Sequence, residues 1–303
     1  MSTLFTGISE LRTVSERGTL NDAAIIAQSG TIAWVGPASE APAADEKVDL
    51  GGRAVLPGWV DSHTHMVFDG DRSAEFEARI SGGSYEAGGI AVTMDATRQA
   101  GTDRLDQLVA DRVAAGRRGG TTTFETKTGY GLNTESEVEA AKVASRHVDD
   151  VTFLGAHLVP PGADAEEYLD EVVGPMLEGV APYVQWIDVF CERGAFNEEQ
   201  SRRVLEAGKK LGLGLRVHGN QLGEGPGVAL AVELGAASVD HVNHLSDEDV
   251  ELLANSDTVA TMLPACDLST REPLAPGRTL LDAGATLAIA SNLNPGTSYT
   301  SSM

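Results

Sequence analysis

Two rhythms of apolar and polar residues divide the chain. Over the first 56 positions, short apolar runs at 23–27 and 31–35 are separated by Gln28-Ser29-Gly30. Gly36-Pro37 and the stretch 48–52 follow. That spacing predicts a small β-domain, a β-sandwich segment over 1–56. After Pro57-Gly58, strand-length apolar runs alternate with longer amphipathic stretches. This predicts an α/β protein whose residues 57–303 form a (β/α)8 TIM-type barrel. Eight strands are predicted at 59–63, 121–125, 151–157, 186–191, 214–218, 238–241, 259–263 and 286–291. Helical stretches between them fall at 104–118, 135–147, 166–178, 198–211 and 227–234, each with an apolar stripe and a charged face. The pattern runs out at Met303, soon after the eighth strand. A closed barrel follows that strand with a helix, and 56 residues are few for a self-sufficient β-domain. The barrel is therefore expected to be truncated after strand 8, with a missing C-terminal part that would supply the last helix and complete the N-terminal sheet.

His63, Glu125, His157, Glu192, His218, His241 and Asn292 all fall at or just after the C-terminal end of a predicted strand. In a barrel of this kind that end carries the active site, and the opposite end serves stability. His63-Thr64-His65 adds a specific geometry. Side chains two apart on a strand share a face, so both imidazoles can meet one ion. With His218 and His241 ending later strands, the pattern points to a metal centre, and imidazole ligands favour Zn2+ or Fe2+ over Mg2+ or Ca2+.

Composition narrows the alternatives. A chain of 303 residues with 42% hydrophobic and 22% charged residues can bury a large core and does not read as disordered. The net charge of −23 opposes nucleic-acid or anionic-membrane partners, both of which need a positive face. No run reaches the roughly 18 apolar residues of a membrane helix, and Met1 to Val14 lacks a basic start followed by an apolar run. A cytoplasmic location is expected. Cys191 and Cys266 have no metal-type spacing and read as reduced core or pocket residues.

The string from Leu56 to His65, Leu-Pro-Gly-Trp-Val-Asp-Ser-His-Thr-His, resembles the opening of the amidohydrolase superfamily. Phe68-Asp69-Gly70-Asp71-Arg72, the run from Glu125 to Leu132, Phe153-Leu154-Gly155-Ala156-His157, Asp188-Val189-Phe190-Cys191-Glu192 and Asn294-Pro295-Gly296-Thr297 together resemble the imidazolonepropionase family. These motifs run in order from about residue 56 to residue 303. The resemblance implies one ion per chain, Zn2+ or Fe2+/Fe3+, held by His63, His65 and His218 with an acidic residue after the eighth strand. The residue there is Asn292, which can offer a weak carbonyl-oxygen ligand but no negative charge and no base. The substrate implied is 4-imidazolone-5-propanoate, whose ring C–N amide bond is hydrolysed to N-formimino-L-glutamate in histidine catabolism.

The same resemblance places Arg72 and Tyr130 on the substrate, Arg72 gripping the propionate through paired hydrogen bonds. An ion pair of Arg72 with Glu75 or Glu77, or a plain turn role for Tyr130, is the simpler alternative. His157 and His241 are candidates for orienting the ring and moving protons. Gln221 stands where some members carry a Glu that manages the attacking water, which adds weight to His241. Asn294, Gly296 and Thr297 resemble a substrate-contacting turn whose backbone N–H groups can meet an anion; a simple Asn-Pro-Gly turn is the alternative. Two-metal relatives use a modified Lys on the fourth strand, which here ends in Phe190-Cys191-Glu192, so the site is expected to be mononuclear and Lys127 to be a polar loop residue near the pocket mouth. A deaminase on the same fold, or a catalytically impaired ligand-binding relative because of Asn292, are the rival readings. Expected partners are a small-molecule substrate, no nucleic acid and no membrane. A homodimer stays open, since barrels often pair.

Overall fold

In the computed structural model, which describes residues 1–81 and 89–303, the unit Met1–Gly58 is one four-stranded sheet. Its strands are β1 (Ser2–Arg12), β2 (Thr19–Gln28), β3 (Thr31–Pro37) and β4 (Glu46–Val55), in the order β3-β2-β1-β4. β2 is antiparallel to both neighbours, and β1 and β4 are parallel. The predicted turn links β2 to β3 through Ser29 and Gly30, with φ of 51° and 78°. This left-handed pair matches the twist of a two-residue hairpin. The β-sandwich segment expected over 1–56 is present as this one sheet, with a small apolar cluster around Ile8, Leu11 and Ala23 gathered on it.

The unit Trp59–Met303 contains β5 (Trp59–Asp61), β6 (Thr121–Lys127), β7 (Asp150–Ala156), β8 (Trp186–Cys191), β9 (Gly214–Gly219), β10 (Ser238–His241), β11 (Val259–Met262) and β12 (Leu287–Ile289). Each pairs in parallel with the next in chain order, giving an eight-stranded, nearly closed barrel. The seam between β12 and β5 is bridged by the segments that follow them. Asn292 N–H donates to His63 O at 3.0 Å and His65 N–H to Leu293 O at 2.8 Å. Asp61 accepts both the Ser291 N–H, at 3.0 Å, and its hydroxyl, at 2.5 Å.

Around the strands run α1 (Ser73–Ile80), α2 (Ile90–Ala100), α3 (Thr102–Arg118), α4 (Thr134–Ala144), α5 (Ala165–Glu171), α6 (Leu177–Val180), α7 (Glu198–Lys210), α8 (Gly227–Leu234), α9 (Asp247–Ala254), α10 (Pro264–Thr270) and α11 (Gly277–Ala283). α7 shows why these segments coil. Asn197 and Gln200 form a capping box, Glu198 and Glu199 lie in the first turn, and Lys209 and Lys210 in the last, so both ends complement the helix dipole. Its stripe buries Val204 and Leu205, worth roughly 1.5–3 kcal/mol each against exposure. Gly208 lets the helix approach β8, since a Cβ there would lie 2.4 Å from Ile187 Cγ2. The helix predicted over 166–178 is interrupted: α5 gives way to a wider π-type turn, Val172–Met176, before α6. Pro175 within that turn has no N–H to continue the ladder.

Strand alternation separates two chemistries. Ile187 and Val189 of β8, Leu215 and Val217 of β9 and Val239 of β10 join the apolar layer under the helices. Their neighbours of opposite parity, Asp188, Arg216, His218 and Asp240, are buried but polar and make their contacts within the barrel. A barrel of this type ordinarily fills its interior with branched apolar side chains. Here a layer of charge lies beneath the mouth.

Candidate active site

β5 hands the chain to His63-Thr64-His65, and β9 carries His218 one residue before its end. The three imidazoles meet. One ligand nitrogen from each lies within 4.8 Å of the others, all buried, and the Nε2 atoms of His63 and His65 are 3.2 Å apart. Each ring from a different strand has a carboxylate behind it. His63 Nδ1 is 2.6 Å from Asp240 Oδ2, and His218 Nδ1 is 3.0 Å from Asp188 Oδ2. The hydrogen bond to Asp240 fixes the tautomer of His63 and leaves the lone pair of its Nε2 for an ion.

The charge states suit that use. Burial, reinforced by Lys127 and His218, holds His63 well below the ordinary imidazole range, and burial does the same for His65 beside His63 and His218. Burial alone would raise Asp188, but His218 and Lys127 override it and keep the carboxyl below its usual range. Imidazoles backed by carboxylates are the donor set of a borderline divalent ion, so the residues present fit a metal centre. Asn292 adds a further donor. Its Oδ1 is buried with no hydrogen-bond partner among the described residues, and its backbone sits at φ 51°, a left-handed conformation that Asn tolerates better than most residues.

Above this set lies a partly enclosed pocket that opens to solvent. His65, Tyr130, His157, His218, Gln221 and His241 line it, and so do Arg72, Asn292, Asn294, Gly296 and Thr297. Every residue singled out in the sequence for substrate, proton or ion therefore meets at one place, with His63 fully buried. His241 ends β10 with φ 86°, followed by Val242 at φ 49°. A β-branched residue in that region is strained, and the strain sits where the strand turns His241 into the pocket. Burial lowers His241 to about 3 and His157 to about 4. His157 Nδ1 donates to Gly129 O at 2.8 Å, which makes its Nε2 an acceptor.

The loop bearing Tyr130 is organised by a residue the sequence did not single out. Glu137 of α4 is fully buried and accepts the N–H groups of Gly129, Gly131 and Leu132 at 2.7–2.9 Å. Arg72 makes the ion pair that was its simpler alternative, with Nη2 2.6 Å from Glu75 Oε2, while still lining the cavity. Arg79, also unforeseen, donates to Gly296 O at 2.5 Å.

Two expectations are corrected. Gly296 and Thr297 do not offer their backbone N–H groups to an anion: both donate to Asn294 Oδ1, at 2.8 and 2.7 Å. Asn294 folds back on its own turn, as short Asx side chains do. Nor is Lys127 a polar loop residue at the mouth. β6 extends two residues beyond its predicted end, and inward parity carries Lys127 to full burial. The charged residues Asp188 and Asp240, each within a short apolar strand, were the available signal for the carboxylates behind the imidazoles.

No protein-family model matches the chain. Over 314 residues it is 65% identical to the imidazolonepropionase of Arthrobacter sp. (strain FB24), covering 100% of this chain and 78% of that protein. It is likewise 65% identical over 303 residues to the imidazolonepropionase of Saccharopolyspora erythraea, with 100% and 78% covered. The chain belongs to the imidazolonepropionase family. Among solved structures, a guanine deaminase from C. acetobutylicum shares the fold at a TM-score of 0.70 and 14% identity, covering 98% of this chain and 76% of that one. A triazine hydrolase from Arthrobacter aurescens does so at 0.68 and 18%, covering 98% and 72%. Within the imidazolonepropionase family, this chain brings together three imidazoles, two supporting carboxylates and the neutral Asn292 at the mouth of its barrel.

Proposed function

We propose that the chain hydrolyses the ring C–N amide bond of 4-imidazolone-5-propanoate to N-formimino-L-glutamate, in histidine degradation. The convergence of His63, His65 and His218 under the cavity that Arg72 lines is the observation that carries this reading. His63, His65 and His218 would hold one divalent ion, zinc or iron, with Asn292 Oδ1 as a neutral fourth donor. An ion there supplies water acidified toward neutrality and a Lewis acid for the carbonyl. An adenosine deaminase of the same fold, 18% identical, carries bound zinc.

The chain's own groups do the rest. Arg72 meets the propionate arm with the guanidinium edge that Glu75 leaves over, and Gly296, against which a Cβ would collide with Arg72 at 2.5 Å, keeps that approach open. His157 Nε2 accepts from a ring N–H, its tautomer set by Gly129 O. His241, neutral and buried, takes a proton from the attacking water and returns it to the ring nitrogen as the C–N bond breaks; the carbonyl carbon becomes the new carboxylate. Gln221 can only hydrogen-bond the water. A small-molecule substrate and a cytoplasmic location accord with the acidic composition and with the finding that no described helix is long and apolar enough to cross a membrane.

The test is a hydrolysis assay that follows loss of the imidazolone ring absorbance, alongside metal analysis of the purified protein. Ion content near one per chain with turnover, and both lost in His218→Ala, is the expected result. The second reading, an impaired ligand-binding relative, is favoured by Asn292 alone. An ion-loaded protein that binds the substrate without turning it over would establish that reading and defeat the first.

A further inference from the structure

Lys127 occupies a place that no simple structural role explains. It is fully buried, and its Nζ lies 2.9 Å from Glu125 Oε1, 3.1 Å from Asp188 Oδ2 and 3.8 Å from Asp240 Oδ2. Each of those carboxylates also reaches the imidazole set. Asp240 Oδ2 contacts His63 Nδ1 and Asp188 Oδ2 contacts His218 Nδ1. Glu125 Oε2 accepts the N–H of Thr64, between His63 and His65, at 3.1 Å. Thr152 donates its hydroxyl to Glu125 Oε1, and Lys127 N–H donates to Thr64 O at 2.9 Å. One ammonium thus links three acceptors, and each acceptor sets a different part of the ligand group.

Formal charge gives this hub a consequence. Three carboxylates around one ammonium leave a surplus of two negative charges, equal and opposite to a dication. Asn292 supplies none. An uncompensated charge in a dry interior is costly, and carboxylates there keep their charge only with fixed partners. We infer that Lys127 is a positioning residue for the ion: it fixes Asp188, Asp240 and Glu125 behind His63, His218 and the Thr64 backbone, and the remaining negative charge of that group balances the dication where Asn292 cannot. This rests on the reading of His63, His65 and His218 as ion ligands.

The test uses three purified full-length chains: unaltered, Lys127→Met, and the double variant E125Q/K127M, which removes both charges of the closest pair. Chelator competition gives the affinity for Zn2+, and the visible absorption of the Co2+ form reports ligand geometry. Lost support of metal-binding imidazoles typically weakens binding by about 10–100-fold. Both variants are expected to lose affinity on that scale and to change the Co2+ spectrum, the double variant included, because Asp188 and Asp240 still lack their cation. A double variant with unaltered affinity and spectrum would reduce Lys127 to a neutraliser of Glu125 and overturn the inference. A double variant unable to fold in Zn2+-replete medium would overturn it as well, assigning Lys127 to the fold itself. Failure of the unaltered chain to bind Zn2+ would instead reject the ligand reading, so the two failures are distinct.

Discussion

At the scale of single residues, His157 and His241 tie pocket chemistry to stability. Both are buried and titrate low, near 4 and 3, whereas an imidazole in the unfolded chain titrates near 6.5. Between those values the unfolded state binds more protons than the folded one, so stability rises with pH through this window and is lost as pH falls below about 6.5. The metal-free protein should therefore melt at progressively lower temperature from pH 6.5 toward pH 4, and His157→Gln should flatten the dependence. Scanning calorimetry across that range checks both; a melting temperature independent of pH would show that these rings are protonated in the folded state. The residues themselves were legible in the sequence because strand ends announce them. What surrounds them was not. Lys127 read as a loop residue because its strand runs two positions further than its apolar run, and the bond from Gly296 N–H to Asn294 Oδ1 follows from a turn closing on itself, which spacing alone does not reveal.

At the scale of elements, eight strand positions and the helices α3, α4, α7 and α8 followed from periodicity. α1, α2, α9, α10 and α11 went unforeseen. α10 and α11 have only seven residues each, and in segments that short packing rather than intrinsic pattern makes the helix. Function depends on such local fastening. α4 begins with Asn133 accepting Ser136 N–H and immediately offers Glu137 to three N–H groups of the Tyr130 loop. A hydrogen bond to a charged group is worth about 1.5–3 kcal/mol, and donors left buried without a partner cost about 1–3 kcal/mol more. Glu137→Ala should therefore destabilise the barrel by about 3 kcal/mol or more and raise KM for the imidazolone substrate more than it lowers kcat, because the loop loosens around Tyr130 while the imidazoles stay in place. Unchanged KM in a protein of reduced melting temperature would confine Glu137 to the fold.

At the scale of the whole molecule, the polar interior makes stability depend on what the site holds. The apolar layer under the helices resembles that of any such barrel, but the lumen groups Asp61, Glu125, Asp188 and Asp240 with Lys127, Arg216 and the imidazoles. In a chain already at −23, an interior without a dication would leave those carboxylates with only Lys127 and Arg216 to offset them. A ligand that binds only the folded state at about a hundred times its Kd adds about 2.7 kcal/mol. For a unit of this size each kcal/mol moves the midpoint by about 2–4 °C. Saturating Zn2+ should thus raise the melting temperature of the chelated protein by about 5–10 °C. Ca2+ at the same concentration should leave it nearly unmoved, because three imidazole nitrogens match a borderline ion and not a hard one that takes six to eight oxygens. The contrast between the two ions decides the question: equal shifts would locate the effect in the acidic surface, where any dication screens charge, and would remove the imidazole group from the explanation.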